Sequence, residues 1–290
     1  MGYWDRGPMV RPVAVRSVVE TPGADGTGHW FHTPSRSGRW WSESVAEPVL
    51  SVLFPPRCAG CGDFESHLCA SCREALDAIG SDHCPRCGEP GPAPRVGGRC
   101  RHCMAEDLPY AGARAAFRHQ GVARRLVADF KFGGQPVLGR VMAEVAAPAF
   151  REYALRIAPE DHIVVTWVPS HRKVQRQRGY NQAELLARHL ASGPRPLARA
   201  PLVRKAVSTK HQKGLGRAGR QANLRGVFSL DEREAARLPS RIEAVIVVDD
   251  VYTTGATAKE VSSVLVAGMG LPVHVFTFSR AVGDASERHD

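Results

Sequence analysis

Long apolar runs are missing from this 290-residue chain. The longest are strand-sized, such as Ala244 to Val248, and none approaches the roughly 20 residues that a membrane-spanning helix requires. The first thirty residues hold no apolar core of the kind a secretory signal carries, so a cytoplasmic, reducing setting is expected. Cysteine is absent from Pro109 onward, although eight cysteines stand between Cys58 and Cys103. Acid is nearly absent between His162 and Leu230, where Glu184 alone opposes fourteen Lys and Arg residues. That segment carries +13 against +10 for the whole chain, so the remainder is slightly acidic. A hydrophobic content of 43% with 39 basic and 29 acidic residues excludes general disorder and describes one or two globular domains. The confined positive charge points to an anionic partner.

The chain divides by composition. Residues 1–45 are rich in Gly, Pro, Ser and Arg and follow no period of 2 or 3.6, which reads as a disordered extension. Trp30, Trp40 and Trp41 leave two explanations open, an interaction segment or a non-native start. Residues 46–108 hold all the cysteines, 109–283 read as an α/β domain, and 284–290 as a tail. Within the domain, Ala111 to Arg118, His162 to Val168, Ala244 to Val248 and Val273 to Phe278 read as strands. Gly121 to Lys131, Val137 to Ala154, Asn181 to Ala191 and Ala256 to Ala267 have helical spacing. Asn181 and Glu184 stand three apart like a capping box, which makes Asn181 the helix start. Apolar strands alternating with helices predict a mostly parallel sheet covered on both faces.

The cysteines form four pairs, Cys58/Cys61, Cys69/Cys72, Cys84/Cys87 and Cys100/Cys103, each with a two-residue gap. Such a gap lets both thiolates reach one tetrahedral metal, so eight cysteines satisfy two four-cysteine zinc sites. A disulfide framework and an iron–sulfur cluster are the alternatives, the first disfavoured in a reducing compartment. Sequential pairing closes loops of seven and twelve residues and is preferred to an interleaved cross-brace. A shell of four thiolates leaves no open position, so the zinc role is structural. His67, His83 and His102 read as surface residues beside the clusters.

From Val245 to Thr257 an apolar strand runs through Asp249 and Asp250 into Thr253-Thr254-Gly255-Ala256-Thr257 and then a helix. In an open α/β sheet, ligands bind beyond the carboxyl ends of the strands. Backbone N–H groups at a helix start suit a phosphate, Gly255 permits close approach, and the threonines add hydroxyl donors. Adjacent carboxylates can accept from paired sugar hydroxyls or hold Mg²⁺ through water. Together these describe a site for ribose 5-phosphate. A receiver-type acidic pair and an incidental strand-to-helix turn are rival readings, and neither needs the Thr-Thr-Gly-Ala-Thr run.

This thirteen-residue stretch resembles the signature of type I phosphoribosyltransferases, which bind phosphoribosyl pyrophosphate (PRPP). Val168-Pro169-Ser170-His171-Arg172, then Arg178-Gly179-Tyr180-Asn181-Gln182, then Thr209, Gln212, Leu215, Arg220, Asn223 and Phe228 stand in the order of ComF-type competence proteins. That family joins a cysteine-rich zinc module to a phosphoribosyltransferase-like domain of Rossmann-like architecture. The likeness runs from about Pro48 to Arg280; it departs at the N-terminal extension and at Tyr180, where Phe is usual. It implies Mg–PRPP as ligand, a loop after Val168 near the pyrophosphate, and a basic segment from Lys205 to Arg225 closing over it. Guanidinium forks on Arg172 and Arg178 suit pyrophosphate, although a solvated basic face is the simpler alternative. Two functions follow: a protein binding PRPP or a phosphorylated nucleotide end in DNA uptake, with single-stranded DNA and uptake-machinery proteins as partners, or an active phosphoribosyltransferase acting on a nucleobase. The short run after the last strand supplies no base-recognising cap, so the acceptor stays open. Fourteen positive side chains exceed what one pyrophosphate engages, which favours DNA as a partner.

Overall fold

The structure, a computed structural model, describes residues 55–64, 66–91, 100, 103–104, 107–205 and 226–282, all within a unit spanning Pro48–Asp290. The extension 1–45, the tail 284–290, and the basic segment after Lys205 up to Arg225 lie outside the described residues. In chain order the elements are α1 (Ala70–Glu74), β1 (Gly112–Arg118), α2 (Gly121–Phe132), α3 (Val137–Leu155), β2 (Ile163–Trp167), α4 (Arg172–Arg178) and α5 (Gln182–Ala191). They continue with β3 (Ala198–Arg199), β4 (Val203–Lys205), β5 (Phe228–Leu230), α6 (Glu232–Ala235), β6 (Ala244–Tyr252), α7 (Ala256–Met269) and β7 (Val273–Arg280).

Five strands form one sheet in the order β1-β7-β6-β2-β3, and every neighbouring pair is parallel. Parallel strands need crossovers that cover both faces, which explains the unbroken apolar runs of β2 and β6. On one face Leu126 and Phe130 of α2, Phe150 of α3 and Leu186 of α5 pack with Ile246, Val248 and Phe276. On the other, Val261 and Leu265 of α7 pack with Val245, Val247 and Val275. Strands β4 and β5 form a separate antiparallel pair. No helix among the described residues is long and apolar enough to cross a membrane.

Asn181 caps α5 as its sequence position implies: its side-chain oxygen accepts from Ala183 N at 3.2 Å and from Ser170 Oγ at 3.1 Å. Its amide donates to Val168 O at 3.2 Å, pinning the chain that leaves β2. Glu184 lies 3.6 Å from Arg188, one turn along the helix. Two differences from the sequence reading bear on the site. Strand β6 continues past Val248 to Tyr252, because β7 runs alongside it to Arg280 and pairs its backbone. The stretch after His171, read as loop, forms the two-turn helix α4: His171 Nδ1 accepts from Lys173 N at 3.2 Å, and Gly179 ends the helix at φ 84°.

The cysteine-rich segment crosses the β1 edge of the sheet. Ala78 bridges Phe117, Ile79 N donates to Ala116 O at 2.9 Å, and Arg118 N donates to Asp77 O at 2.8 Å, so the edge backbone is paired. Before the crossing, Cys58, Leu68, Cys72 and Leu76 join the core beneath α2. After it, Cys84, Cys87, Cys100 and Cys103 join the core on the α7 face.

Candidate functional site

The sulfurs of Cys58, Cys61, Cys69 and Cys72 lie within 4.8 Å of one another, and so do those of Cys84, Cys87, Cys100 and Cys103. The grouping is sequential. Cys58 and Cys69 are 3.6 Å apart, Cys61 and Cys69 3.7 Å, Cys84 and Cys103 3.7 Å, and Cys87 and Cys100 3.5 Å. A tetrahedron with Zn–S bonds of roughly 2.3 Å has edges of about 3.8 Å, whereas a disulfide needs about 2.05 Å. The spacing therefore fits two four-thiolate zinc ions of structural type, and all eight thiols are unbridged. Burial would raise the Cys58 thiol, but backbone N–H groups of Cys69, Cys61 and Gly60 hold it down to about 6. Cys84 is held to about 7 in the same way, against burial, by the amides of Cys87, Cys100 and Arg86. Each set thus contains a thiol predisposed to ionise, as a metal ligand must. His83 belongs to neither set and meets Gly80 O at 2.9 Å; His67 also stands outside both, and His102 lies outside the described residues.

At the carboxyl end of β6 a small open pocket, with a cavity volume of about 20 Å³, is lined by Asp249, Tyr252, Thr253, Gly255, Ala256 and Thr257, with Val168, Val247 and Thr277 behind them. Gly255 takes φ 76° and immediately precedes α7. A Cβ there would also collide with the Tyr252 hydroxyl, so both conformation and space demand glycine. Gly255, at the N-cap of α7, has no side chain to cap the helix, and Ala256 N donates to Thr254 Oγ1 at 3.4 Å. The first-turn amides and the positive end of a fourteen-residue helix therefore face the pocket mouth, an arrangement suited to a phosphate.

The two aspartates separate, since successive strand residues point to opposite faces. Asp249 lines the pocket and accepts from Asp250 N at 2.9 Å. Burial, then the Asp250 charge, push it up to about 7 against the pull of Lys131. Asp250 is buried on the α2 face and meets Lys131 Nζ at 2.8 Å. Arg172 and Arg178 do not line the pocket. Arg172 borders a separate open depression with Gln175, Arg176 and Gly179. Arg178 donates to Gln182 Oε1 at 3.2 Å and stacks 5.2 Å over Phe132.

The structure thus gathers Asp249, Thr253, Gly255, Ala256 and Thr257 around one cavity and leaves Asp250, Thr254, Arg172 and Arg178 outside its lining. Lys131 and Tyr252 were missed as site residues by sequence reasoning, whereas Lys205 opens the basic segment it expected over the ligand. Burial lowers the Lys205 ammonium while the Asp249 charge pulls it upward, and Lys205 Nζ lies 5.5 Å over the Phe228 ring. For Lys131 no spacing ties the end of α2 to β6. Tyr252 stood inside the signature and was passed over because its partners come from elsewhere in the chain.

A covered parallel α/β sheet, its edge strand flanked by two four-cysteine sets and its carboxyl edge carrying a glycine-led strand-to-helix turn, defines the class. Residues 49–104 match the double zinc ribbon domain family. The chain is 25% identical over 249 residues to "Competence protein ComFC" of Bacillus subtilis, covering 83% of this chain and 92% of that protein. It is 28% identical over 221 residues to "Competence protein F" of Haemophilus influenzae, covering 73% and 92%. It is 26% identical over 219 residues to "DNA utilization protein YhgH" of Salmonella typhimurium, covering 74% and 91%. The chain is a homologue of the ComF-type competence proteins over most of its length, with a double zinc ribbon at its N-terminal side.

Proposed function

We propose that this protein binds PRPP or the phosphorylated ribose of a nucleotide end, with Mg²⁺, and does so in DNA uptake or processing. The observation that carries the reading is the pocket at Asp249–Thr257, where a glycine-led helix start lies beside one partly exposed carboxylate. The amides and hydroxyls of Thr253 to Thr257 take the 5-phosphate. Asp249 takes a ribose hydroxyl or a magnesium-bound water; Asp250, held by Lys131, supports the strand end from the other face. Arg172 and Arg178 meet only a ligand that extends past the pocket toward α4, as a pyrophosphate would. Residues 109–283 are then a phosphoribosyltransferase-like domain and 46–108 its zinc module. The names of the relatives, competence and DNA utilization, support the biological setting, and the basic segment suits single-stranded DNA.

A second reading, an active phosphoribosyltransferase, is favoured by Asp249 being raised to about 7, in the range where a carboxyl group exchanges protons at neutral pH. One experiment separates the two. Protein is incubated with Mg–PRPP and a panel of bases, and pyrophosphate is measured against Asp249→Asn/Asp250→Asn. Release abolished in the variant establishes turnover. Calorimetric binding of PRPP without release, together with single-stranded DNA affinity whose logarithm falls by roughly 0.7 per neutralised phosphate against log salt, establishes the binding reading. Absence of PRPP and ribose 5-phosphate binding overturns both.

A further inference from the structure

Arg280, the last residue of β7, is 3% exposed and makes contacts in two directions. Toward the zinc module, Nη1 donates to the carbonyl of Cys87 at 2.7 Å, while Nε and Nη2 donate to Glu89 Oε2 at 3.0 and 2.6 Å. Cys87 is a member of the second four-cysteine set, and the turn that carries it is closed by Gly88 N to Cys84 O at 2.7 Å and Cys84 N to Glu89 O at 2.8 Å. Toward the pocket, the guanidinium carbon lies 4.1 Å over the ring of Tyr252. That tyrosine shares a 2.7 Å hydrogen bond with the Tyr110 hydroxyl, lines the pocket, and its hydroxyl stands where a Gly255 side chain would be. Its carbonyl accepts from Ala281 N at 2.9 Å.

A buried guanidinium is tolerated only when its donors are satisfied, and these donors are satisfied by a turn that a metal at the second set would hold closed. We propose that Arg280 is a positioning residue that couples the second four-cysteine site to the phosphate loop, so that metal at Cys84, Cys87, Cys100 and Cys103 holds Tyr252 and Gly255 in their binding geometry. Among the described residues the first set lacks this connection: it packs beneath α2, where Val122 lies beside Gly60. The two zinc sites therefore differ in role, the second supporting the pocket and the first supporting the other face. The consequence for ligand affinity rests on the phosphoribosyl reading above; the ordering of the loop does not.

The test is hydrogen exchange by mass spectrometry on the full chain without ligand, comparing the segment 249–258 with the reference helix α5, and zinc content determined in parallel. Arg280→Met with two zinc ions bound is expected to speed exchange at 249–258 at least tenfold while α5 is unchanged. Arg280→Lys, which keeps charge but not the fork, and Glu89→Gln give intermediate increases. Cys61→Ser, which disturbs only the first set, leaves 249–258 unchanged. Unchanged exchange at 249–258 in the Arg280 and Glu89 variants overturns the proposal, as does an equal rise in α5. Should Arg280→Met not fold, Arg280→Lys and Glu89→Gln decide by the same criteria. By reciprocity, ribose 5-phosphate should raise the zinc affinity of the second set, read in equilibrium competition with a chromogenic chelator, and Arg280→Met should abolish that gain. Wild-type protein that fails to bind ribose 5-phosphate removes the phosphoribosyl reading and leaves the exchange result to judge the coupling.

Discussion

The two faces of the central sheet carry matched equipment that behaves differently. Each has a four-cysteine set and one of two adjacent aspartates. On the α2 face Asp250 is buried and neutralised by Lys131, and the cysteine set leaves Cys61 exposed. On the α7 face Asp249 is only partly covered and faces a pocket, while all four cysteines are buried. On the first face Asp250 is paired by Lys131 and supports the strand end. On the other, Asp249 stands beside the start of α7 within the influence of the Lys131 and Lys205 charges, at the pocket where the proposed phosphorylated ligand would bind.

The contrast is sharpest in the metal sites. A structural zinc contributes on the order of 10 kcal/mol to folding, so loss of a buried set exceeds what a domain of this size can tolerate. Cys87→Ser is expected to give chain without the cooperative thermal transition, whereas Cys61→Ser retains it at a lower midpoint, as followed by circular dichroism. Zinc release to a chelator should then show two phases, the exposed set first; a single phase for both ions breaks the comparison. Next in size, Lys131→Met strands the buried Asp250 charge and should cost about 3 kcal/mol in urea unfolding. Lys131→Met/Asp250→Asn should recover much of that, because no unpaired charge remains.

Asp249 should behave in the opposite sense. Its folded-state pKa, about 7, lies above the ordinary carboxylate value, so the folded protein keeps this proton while the unfolded chain releases it. Stability from this group is full below about pH 4 and declines as pH rises to about 7. Asp249→Asn is accordingly expected to stabilise the free protein by about 2 kcal/mol at pH 8, with the gain vanishing near pH 4, while ribose 5-phosphate binding is lost. Equal effects of Asn at 249 and 250 would erase the distinction between the faces. The smallest effect belongs to the support face: Asn181→Ala removes the cap of α5 and should cost about 1 kcal/mol without altering zinc content.

Much of the fold was legible because its signals are local. The period of Leu185, Leu186 and Leu190 marks α5, Asn181 marks its start, and the unbroken run Ala244–Val248 marks a strand buried on both faces. The end of β6 was not legible, because two carboxylates within a strand look like a loop until β7 is seen pairing beside them. Helix α4 was hidden for a similar reason: its seven residues hold one apolar side chain, and its ends depend on His171 and Gly179. In the site, Thr253 to Thr257 follow from glycine and hydroxyl chemistry at a helix start. The separation of Asp249 from Asp250 follows from strand alternation, but which of them faces the pocket does not.

The amino-acid sequence alone determined the two four-cysteine sets, the strand-to-helix turn at Gly255 and the parallel sheet, since each depends on residue types at short fixed spacings. Tertiary structure decided what those parts do for one another. It placed one four-cysteine set on each face of the β1 edge, brought Lys131 to Asp250 across more than a hundred residues, and set Arg280 between Cys87 and Tyr252. Such contacts join positions remote in the chain, where no periodicity extends, and they arise only when the packed sheet carries those positions to the same point.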